Sequence, residues 1–517
     1  MPEKVLKKIN ARILPQWKVC FFAALTVGLI AHLYKITNWL PNWDSLVFRH
    51  HSQNMLALGR WFLPVVCSFS SFYDLPFLNG IIAVVFHALS AVFICRILNI
   101  QKKVTAFLIG AVIVSFPTVT SVMMYNYVAD GYSIAFFLST LAAWYMTKDK
   151  PVYVASAVLA AMSMGIYQAY ITVTIMLVLL KLMDEIIYDK TPFLNVLKKS
   201  SCMLLSGVSS VVMYSVILKV VLGVFSAQLI DYQGMSSAFS LSNIDLPGSL
   251  YMVKETFLEC FFDLSEGVNV YVVVNIFVLL FTLSHYIKYL IINKLYKKPV
   301  NILTVVVLGV MLIVGAGALS FINPGIDYHN LMLMGYAVFY LFFIVLYERG
   351  TDKNENNVTV KCWSILIVSL ILVSNQVVIS NVSYHKAQLA YEKSYGVLMR
   401  IADRIDKTDK AESCNRILVI GALDNSESYS VNLTPDITGI TDGYIIRADD
   451  ETVGQSVLCS ALNDYCDKNY EFVSGKEKQT ITQRDDVKTM GTWPSKDCVY
   501  VADDIIVIKL GQEGENN

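Results

Sequence analysis

Long apolar runs separated by short polar segments fill the first three quarters of the chain. Runs at about 18–36, 76–95, 104–124, 131–147, 152–166, 168–183, 200–225, 268–287, 300–322, 330–347 and 362–381 predict eleven membrane-crossing helices. Most have a length that suits a hydrocarbon core ~30 Å thick. Residues 152–183 read either as one long helix or as a hairpin. Basic clusters flank this stretch on both sides, so an even number of crossings must separate them. Two short helices turning near Tyr167, Gln168 and Tyr170 satisfy that count. Each is only ~22 Å long at the helical rise, thin for a full crossing.

The last quarter changes period. Residues 385–408 place Leu389, Leu398, Ile401 and Ile405 near helical spacing. RILVIGAL (416–423) reads as a strand, ETVGQSVLCSALNDYC (451–466) as a helix, and CVYVADDIIVIKL (498–510) as two strands turning at Asp503-Asp504. The expected architecture is an all-α polytopic membrane domain over 1–383 and a small soluble α/β domain over 384–517. The tail carries no metal-ligand spacing, glycine-rich phosphate loop or nucleophile elbow. It therefore reads as an accessory or substrate-shaping module.

Composition agrees: 55% of residues are hydrophobic and 16% charged, against roughly 45–50% and 25% in soluble domains. The net charge of zero hides a split. Residues 1–383 hold 26 Lys/Arg and 18 Asp/Glu, a net +8; residues 384–517 hold 15 and 23, a net −8. Of the first 26 cations, 21 fall in alternate segments, beginning with Lys4, Lys7, Lys8, Arg12 and Lys18. The positive-inside rule then makes the N-terminus cytoplasmic and turns the first loop and the tail outward. No small-residue cleavage site follows the first apolar run, which reads as a retained span rather than a signal peptide. Four of the ten cysteines, at 414, 459, 466 and 498, lie in the tail and allow three pairings. Cys459 and Cys466 on one helix would sit ~10 Å apart, too far to bridge.

The chemistry gathers in the outward loops. NWDSLVFRHHSQNMLALGRW (42–61) carries Asp44 between Trp43 and Ser45, and Arg60 in GRW. An acid held close to lipid is costly unless partnered, so Asp44 is a functional candidate, with a structural cap as its alternative. Asp130, in NYVADGYS, reads as a short loop at the membrane surface, and Asp-Gly is equally a turn dipeptide. Arg60, flanked by aromatics, can hold a phosphate bidentately or snorkel at the interface. Lys219, inside a span, should turn from lipid toward the outer surface or an aqueous cavity. Lys254 is a loop cation. His50 and His51 diverge by ~100° on a helix and do not make one metal site. His329 follows Asp327 before the tenth span. Trp39, Trp43, Trp61, Tyr125, Tyr127, Tyr167 and Tyr170 fit an interfacial aromatic belt, or a sugar-binding platform.

The basic start, the single span, the early Asp and GRW of the first loop, NYVADGYS, the SMGIYQAYI hairpin and the outward tail together resemble the bacterial Gtr-type glucosyltransferases. That family modifies O-antigens and related surface polysaccharides and looks like part of the GT-C membrane glycosyltransferase class. The resemblance implies a polyprenyl-phosphate sugar donor, a surface polysaccharide or lipid-linked acceptor, and a bacterial plasma membrane with its site on the outer face. It implies Asp44 as the base that takes the acceptor proton, with Asp74 of the YD pair as a second first-loop candidate. Arg60 would bind the leaving phosphate, assisted by Lys219 or Lys254. Asp130 would orient the acceptor or share a divalent cation, Mg or Mn, with Asp44. Trp43, Trp61, Tyr167, Gln168, Tyr170 and His329 complete the expected substrate surface. Nucleic acid is not an expected partner. A transporter of lipid-linked sugars would show internal repeats and midplane charges, which the sequence lacks. A polysaccharide polymerase or ligase shares the same substrates and is separated poorly.

Overall fold

In the computed structural model the described residues are 2–4, 11–47, 55–70, 72–189, 191–230, 245–264, 267–294, 297, 299–321, 328–349, 355–421 and 451–511. They form two compact units. One holds residues 1–37 and 52–381; the other holds 38–51 and 382–517. The stretch carrying Asp44 thus folds with the C-terminal residues rather than with its sequence neighbours.

The first unit is helical. Its elements are α1 (Pro15–Thr37), α3 (Leu63–Cys67), α4 (Pro76–Ile97), α5 (Lys103–Ser115), α6 (Pro117–Met124), α7 (Asn126–Thr147), α8 (Tyr153–Ile166), α9 (Ile171–Ile187), α10 (Phe193–Val224), α11 (Leu246–Phe262), α12 (Val270–Ile292), α13 (Pro299–Ala316) and α14 (Val338–Glu348); α2 (Trp43–Val47) belongs to the second unit. Short 3₁₀ turns at Gln168–Tyr170 and Asn330–Ala337 lead into α9 and α14. The 52-residue α15 (Glu355–Asp406) contributes its first part to one unit and its last part to the other.

Seven helices among the described residues are long and apolar enough to cross a membrane, or eight if the bent pair α5–α6 is one span. The chain is a multi-pass membrane protein. The eleven predicted segments all fall on helices, but α7, α8 and α9 do not meet that measure. α8 and α9 are short, with 14 and 17 residues, and α7 opens on the polar sequence NYVADGYS. The α5–α6 bend of 42° falls at Pro117, where the ring removes a helical hydrogen bond.

Small residues set the spacing of the bundle. A Cβ on Gly110 would lie 2.4 Å from the Cys20 carbonyl oxygen, and one on Gly28 would lie 2.7 Å from Val114. Close backbone approach of this kind is how spans associate where lipid is as apolar as the side chains. Buried hydroxyls are satisfied across helices: Ser115 donates to Gln376 Oε1 at 2.8 Å, and Ser163 donates to the Ala135 carbonyl at 2.8 Å. An unmet polar group there would cost several kcal/mol.

The second unit packs α2, the end of α15 and α16 (Glu451–Cys466) against a four-stranded sheet. The strands are β1 (Arg416–Ile420), β2 (Glu471–Phe472), β3 (Val499–Ala502) and β4 (Ile505–Lys509), in the order β2-β1-β4-β3. β1 runs parallel to β2 and to β4; β3 and β4 are antiparallel. Asp503 takes φ +58 in the two-residue turn between them, as the sequence predicts. Two short helices, α17 (Gly475–Thr482) and α18 (Asp485–Lys488), precede β3. Leu46 of α2 enters a core with Leu398, Ile401, Val457, Leu458, Ile506 and Ile508. All ten cysteines are free thiols.

Candidate functional site

A turn at Met55–Gly59 sets up the first-unit cluster. Gly59 takes φ +74, the left-handed region where a side chain is strained. Gly59 N–H donates to the Leu56 carbonyl and Arg60 N–H to the Met55 carbonyl, at 3.0 and 2.9 Å. Arg60 leaves this turn with its guanidinium carbon 4.9 Å from the centroid of the Tyr167 ring. Its Nη1 donates to the Tyr132 hydroxyl at 2.9 Å. Tyr132 and Tyr167 stack on each other with centroids 4.6 Å apart and planes at 15°. The cation is half-buried while both rings are at most 4% exposed. Such stacking is worth up to ~2 kcal/mol where the cation is desolvated.

Two residues before Tyr132 lies a buried acid. Asp130 is 1% exposed. It sits in the first turns of α7 rather than in a loop, because the helix begins at Asn126. That corrects both the surface-loop and the turn readings of NYVADGYS. The adjacent glycine serves packing: a Cβ on Gly131 would lie 2.6 Å from Leu63 and 2.8 Å from Cys67 of α3. Cys67 Sγ donates to Asp130 Oδ1 at 3.7 Å. The Ser70 hydroxyl faces the same carboxylate and donates to the Cys67 carbonyl at 3.0 Å.

A second acid lies at the start of α4. Asp74 is half-buried and accepts from Asn126 Nδ2 at 2.5 Å. Asn79 Nδ2 donates to the Asn126 carbonyl at 2.8 Å and fixes that amide from behind. Lys35 of α1, 1% exposed, lies in electrostatic range of Asp74.

The 3₁₀ turn completes the cluster. Gln168 Nε2 donates to the Leu58 carbonyl and to the Tyr214 hydroxyl, each at 3.0 Å. Phe62 N–H donates to the Gly165 carbonyl at 2.7 Å. Trp61 lies flat against Gly165, where a Cβ would meet its ring at 2.5 Å. Tyr170 is 1% exposed and packs edge-on to Tyr167 at 5.9 Å.

The structure therefore gathers Arg60, Trp61, Asp130, Tyr167, Gln168 and Tyr170 in one unit. Other expected residues lie elsewhere. Asp44 and Trp43 are in α2 of the second unit. Asn42 Oδ1 accepts from Ser45 N–H at 2.8 Å and is the cap of that helix, so the capping role does not fall to the half-buried Asp44. Lys219 is exposed on α10 beside Val216 and Val220, on a different side from the buried Tyr214. Lys254 is exposed, paired with Glu255 at 2.9 Å and 5.5 Å from the Tyr251 ring. His329 is half-buried before the 3₁₀ turn Asn330–Ala337. Arg49, His50, His51 and Asp327 lie outside the described residues.

The belt reading also changes. Tyr127, Tyr167 and Tyr170 are 3%, 4% and 1% exposed, so they fill the interior of the unit and do not face headgroups. Cys67 and Tyr214 carried no signal in the sequence, and Asn126 and Tyr132 lie in NYVADGYS without having been singled out there. Tyr132 was within reach, since a helix through Asp130 carries it two residues further. Among the described residues no three His, Cys, Asp or Glu side chains converge on a metal.

Comparison with known proteins rests on one finding. No curated protein and no solved structure matches this chain. The family model described as Glucosyl transferase GtrII matches residues 33–346, more than half of the 517 residues. The match runs from the end of α1 to the end of α14 and includes Asp44, Arg60, Asp74, Asp130 and the 3₁₀ turn. The chain belongs to the GtrII glucosyl transferase family.

Proposed function

We propose that this glucosyltransferase moves glucose from a polyprenyl-phosphate carrier to a hydroxyl of a surface polysaccharide or its lipid-linked precursor. It does so at the outer face of the bacterial plasma membrane, with the N-terminus cytoplasmic. The observation that carries the reading is Arg60, a half-buried guanidinium held between a tyrosine ring and a tyrosine hydroxyl. A desolvated, oriented guanidinium suits a phosphate that gains charge as it departs. The bias of 21 cations to alternate segments supports the orientation.

The chemistry is a single displacement that inverts the anomeric carbon. The acceptor oxygen attacks that carbon as its bond to the phosphate oxygen breaks. The electron pair leaves with the phosphate, which Arg60 stabilises, and the hydroxyl proton passes to a carboxylate. The first-loop acids Asp44 and Asp74 are the two candidates for that carboxylate; both are half-buried, and Asp74 shares a unit with Arg60. Asp130, 1% exposed and engaged with Cys67, acts as a positioning residue that holds α3. Trp61, packed against Gly165 in the same unit, borders the donor.

The test is transfer by the purified chain from radiolabelled polyprenyl-phosphate glucose to a lipid-linked saccharide. Label in the acceptor supports the reading. Label that crosses a vesicle membrane without joining the acceptor overturns it in favour of a transporter.

A further inference from the structure

We infer that Tyr214 is a positioning residue for the Arg60 guanidinium; the inference rests on Arg60 as the phosphate ligand proposed above. Tyr214 lies on α10, of whose 32 residues six are buried. Its own side chain is 2% exposed and packs with Ala161, Met164 and Leu218, with Trp61 against the same group. The ring is thus an anchor, and its hydroxyl is what reaches the turn before Arg60.

That hydroxyl both donates and accepts. It donates to the Gly59 carbonyl at 3.0 Å and accepts from Gln168 Nε2 at 3.0 Å. Gln168 in turn donates to the Leu58 carbonyl. Two consecutive carbonyls, Leu58 and Gly59, are therefore fixed by one side-chain pair immediately before Arg60. Their peptide planes set the direction in which the Arg60 side chain departs. A third tie follows on the other side, from Phe62 N–H to the Gly165 carbonyl. Ile230 N–H adds a fourth, on the Ala57 carbonyl at 3.0 Å. Arg60 is the one cation in this braced stretch of 55–62.

The brace matters because Arg60 must meet both an aromatic face and a hydroxyl. The stacking distance to Tyr167 and the bond to Tyr132 are both met in the placement this brace holds. A loosened Gly59 carbonyl lets the left-handed turn rotate and spreads the guanidinium over several placements. The donor's phosphate is already charged before reaction, so the loss falls on donor binding more than on turnover.

Tyr214→Phe in the full chain tests this, since it removes one oxygen and keeps the packed ring. Binding of polyprenyl phosphate to the purified protein is the direct readout. The expected result is binding weaker by about five- to tenfold. KM for the glucose donor rises by a similar factor, while kcat and the melting temperature hold. Tyr214→Phe placed on Arg60→Ala should weaken binding no further. Gln168→Leu, which removes the other half of the brace, should behave like Tyr214→Phe and serves if that variant does not fold. Unchanged binding in Tyr214→Phe, or an equal loss with and without Arg60, overturns the inference. Binding that follows this pattern in a protein that transfers no glucose leaves the brace standing and removes the transferase reading.

Discussion

The Arg60 guanidinium sits 4.9 Å over the Tyr167 ring, although 107 residues of chain separate them. Tyr167 lies between α8 and α9, whereas Arg60 follows the first span. Arg60 is therefore fixed by tertiary packing, not by its own loop. Lysine carries the same charge without the planar face or the fork. Arg60→Lys should lower kcat/KM for the donor by about 30- to 150-fold, equivalent to ~2–3 kcal/mol of lost charged bonding. Parallel assays of Arg60→Lys and Tyr132→Phe check this. The tyrosine variant, which loses one partner of the guanidinium, should fall between wild type and the lysine variant.

Three acids of the matched region should separate in their readouts. Asp44→Asn removes one of the two candidate bases and keeps shape. Transfer should drop by about 10²–10⁴-fold with the melting temperature unchanged. Asp130→Asn alters a buried carboxylate whose partners are structural. It should destabilise the protein by ~1–3 kcal/mol and leave a measurable turnover in the fraction that folds. Asp74→Asn, scored in the same assay, decides between the two first-loop carboxylates. Near-normal transfer by Asp44→Asn would assign the base elsewhere.

Sequence pattern located the helices because an apolar run of span length has few other uses. It missed where α7 begins, since Asp-Gly looks like a turn and Gly131 is there for a different reason. Its missing side chain lets Leu63 and Cys67 approach. Spacing also does not separate a tyrosine at the lipid surface from one inside the bundle, which is why Tyr127, Tyr167 and Tyr170 read as a belt. In the tail, the hairpin at Asp503-Asp504 was legible from alternation and turn residues. β2, only two residues long, is too short to show a period. Tyr214 was invisible for a further reason. Its hydroxyl bonds to a carbonyl 155 residues away, and nothing local encodes that.

Gly165 and Gly207 give a matched pair for packing at the cluster. Gly165 has the Trp61 ring where a Cβ would go, at 2.5–3.0 Å; Gly207, inside α10, has nothing within 4 Å. Gly165→Ala should push Trp61 and cost ~1–3 kcal/mol, with loss of transfer because Phe62 is bonded to the same residue. Gly207→Ala should be neutral or stabilise by up to ~1 kcal/mol through helix propensity. Thermal unfolding in detergent checks both, and equal melting temperatures for the two variants would contradict the packing described.

The second unit should loosen in acid in a defined direction. Arg484 donates to Asp486 through Nε at 3.1 Å and Nη2 at 2.7 Å, and holds its carboxyl below the ordinary value of 3.8. Ser495 and Gly491 N–H do the same for Asp497. A carboxyl whose folded pKa is depressed binds protons more readily when unfolded. Its stabilising contribution is present above the unfolded value, about 4, and lost as pH falls through the lower folded value. Both groups are exposed, so the effect is small and screened by salt. The Tyr500 hydroxyl of β3 also reaches Asp486 at 3.3 Å, so hydrogen exchange at Val499–Ala502 is the local reporter. Exchange there should accelerate below about pH 4. Arg484→Met should raise exchange at neutral pH and flatten the acid response, whereas exchange in β1, remote in the sheet order from β3, should change less.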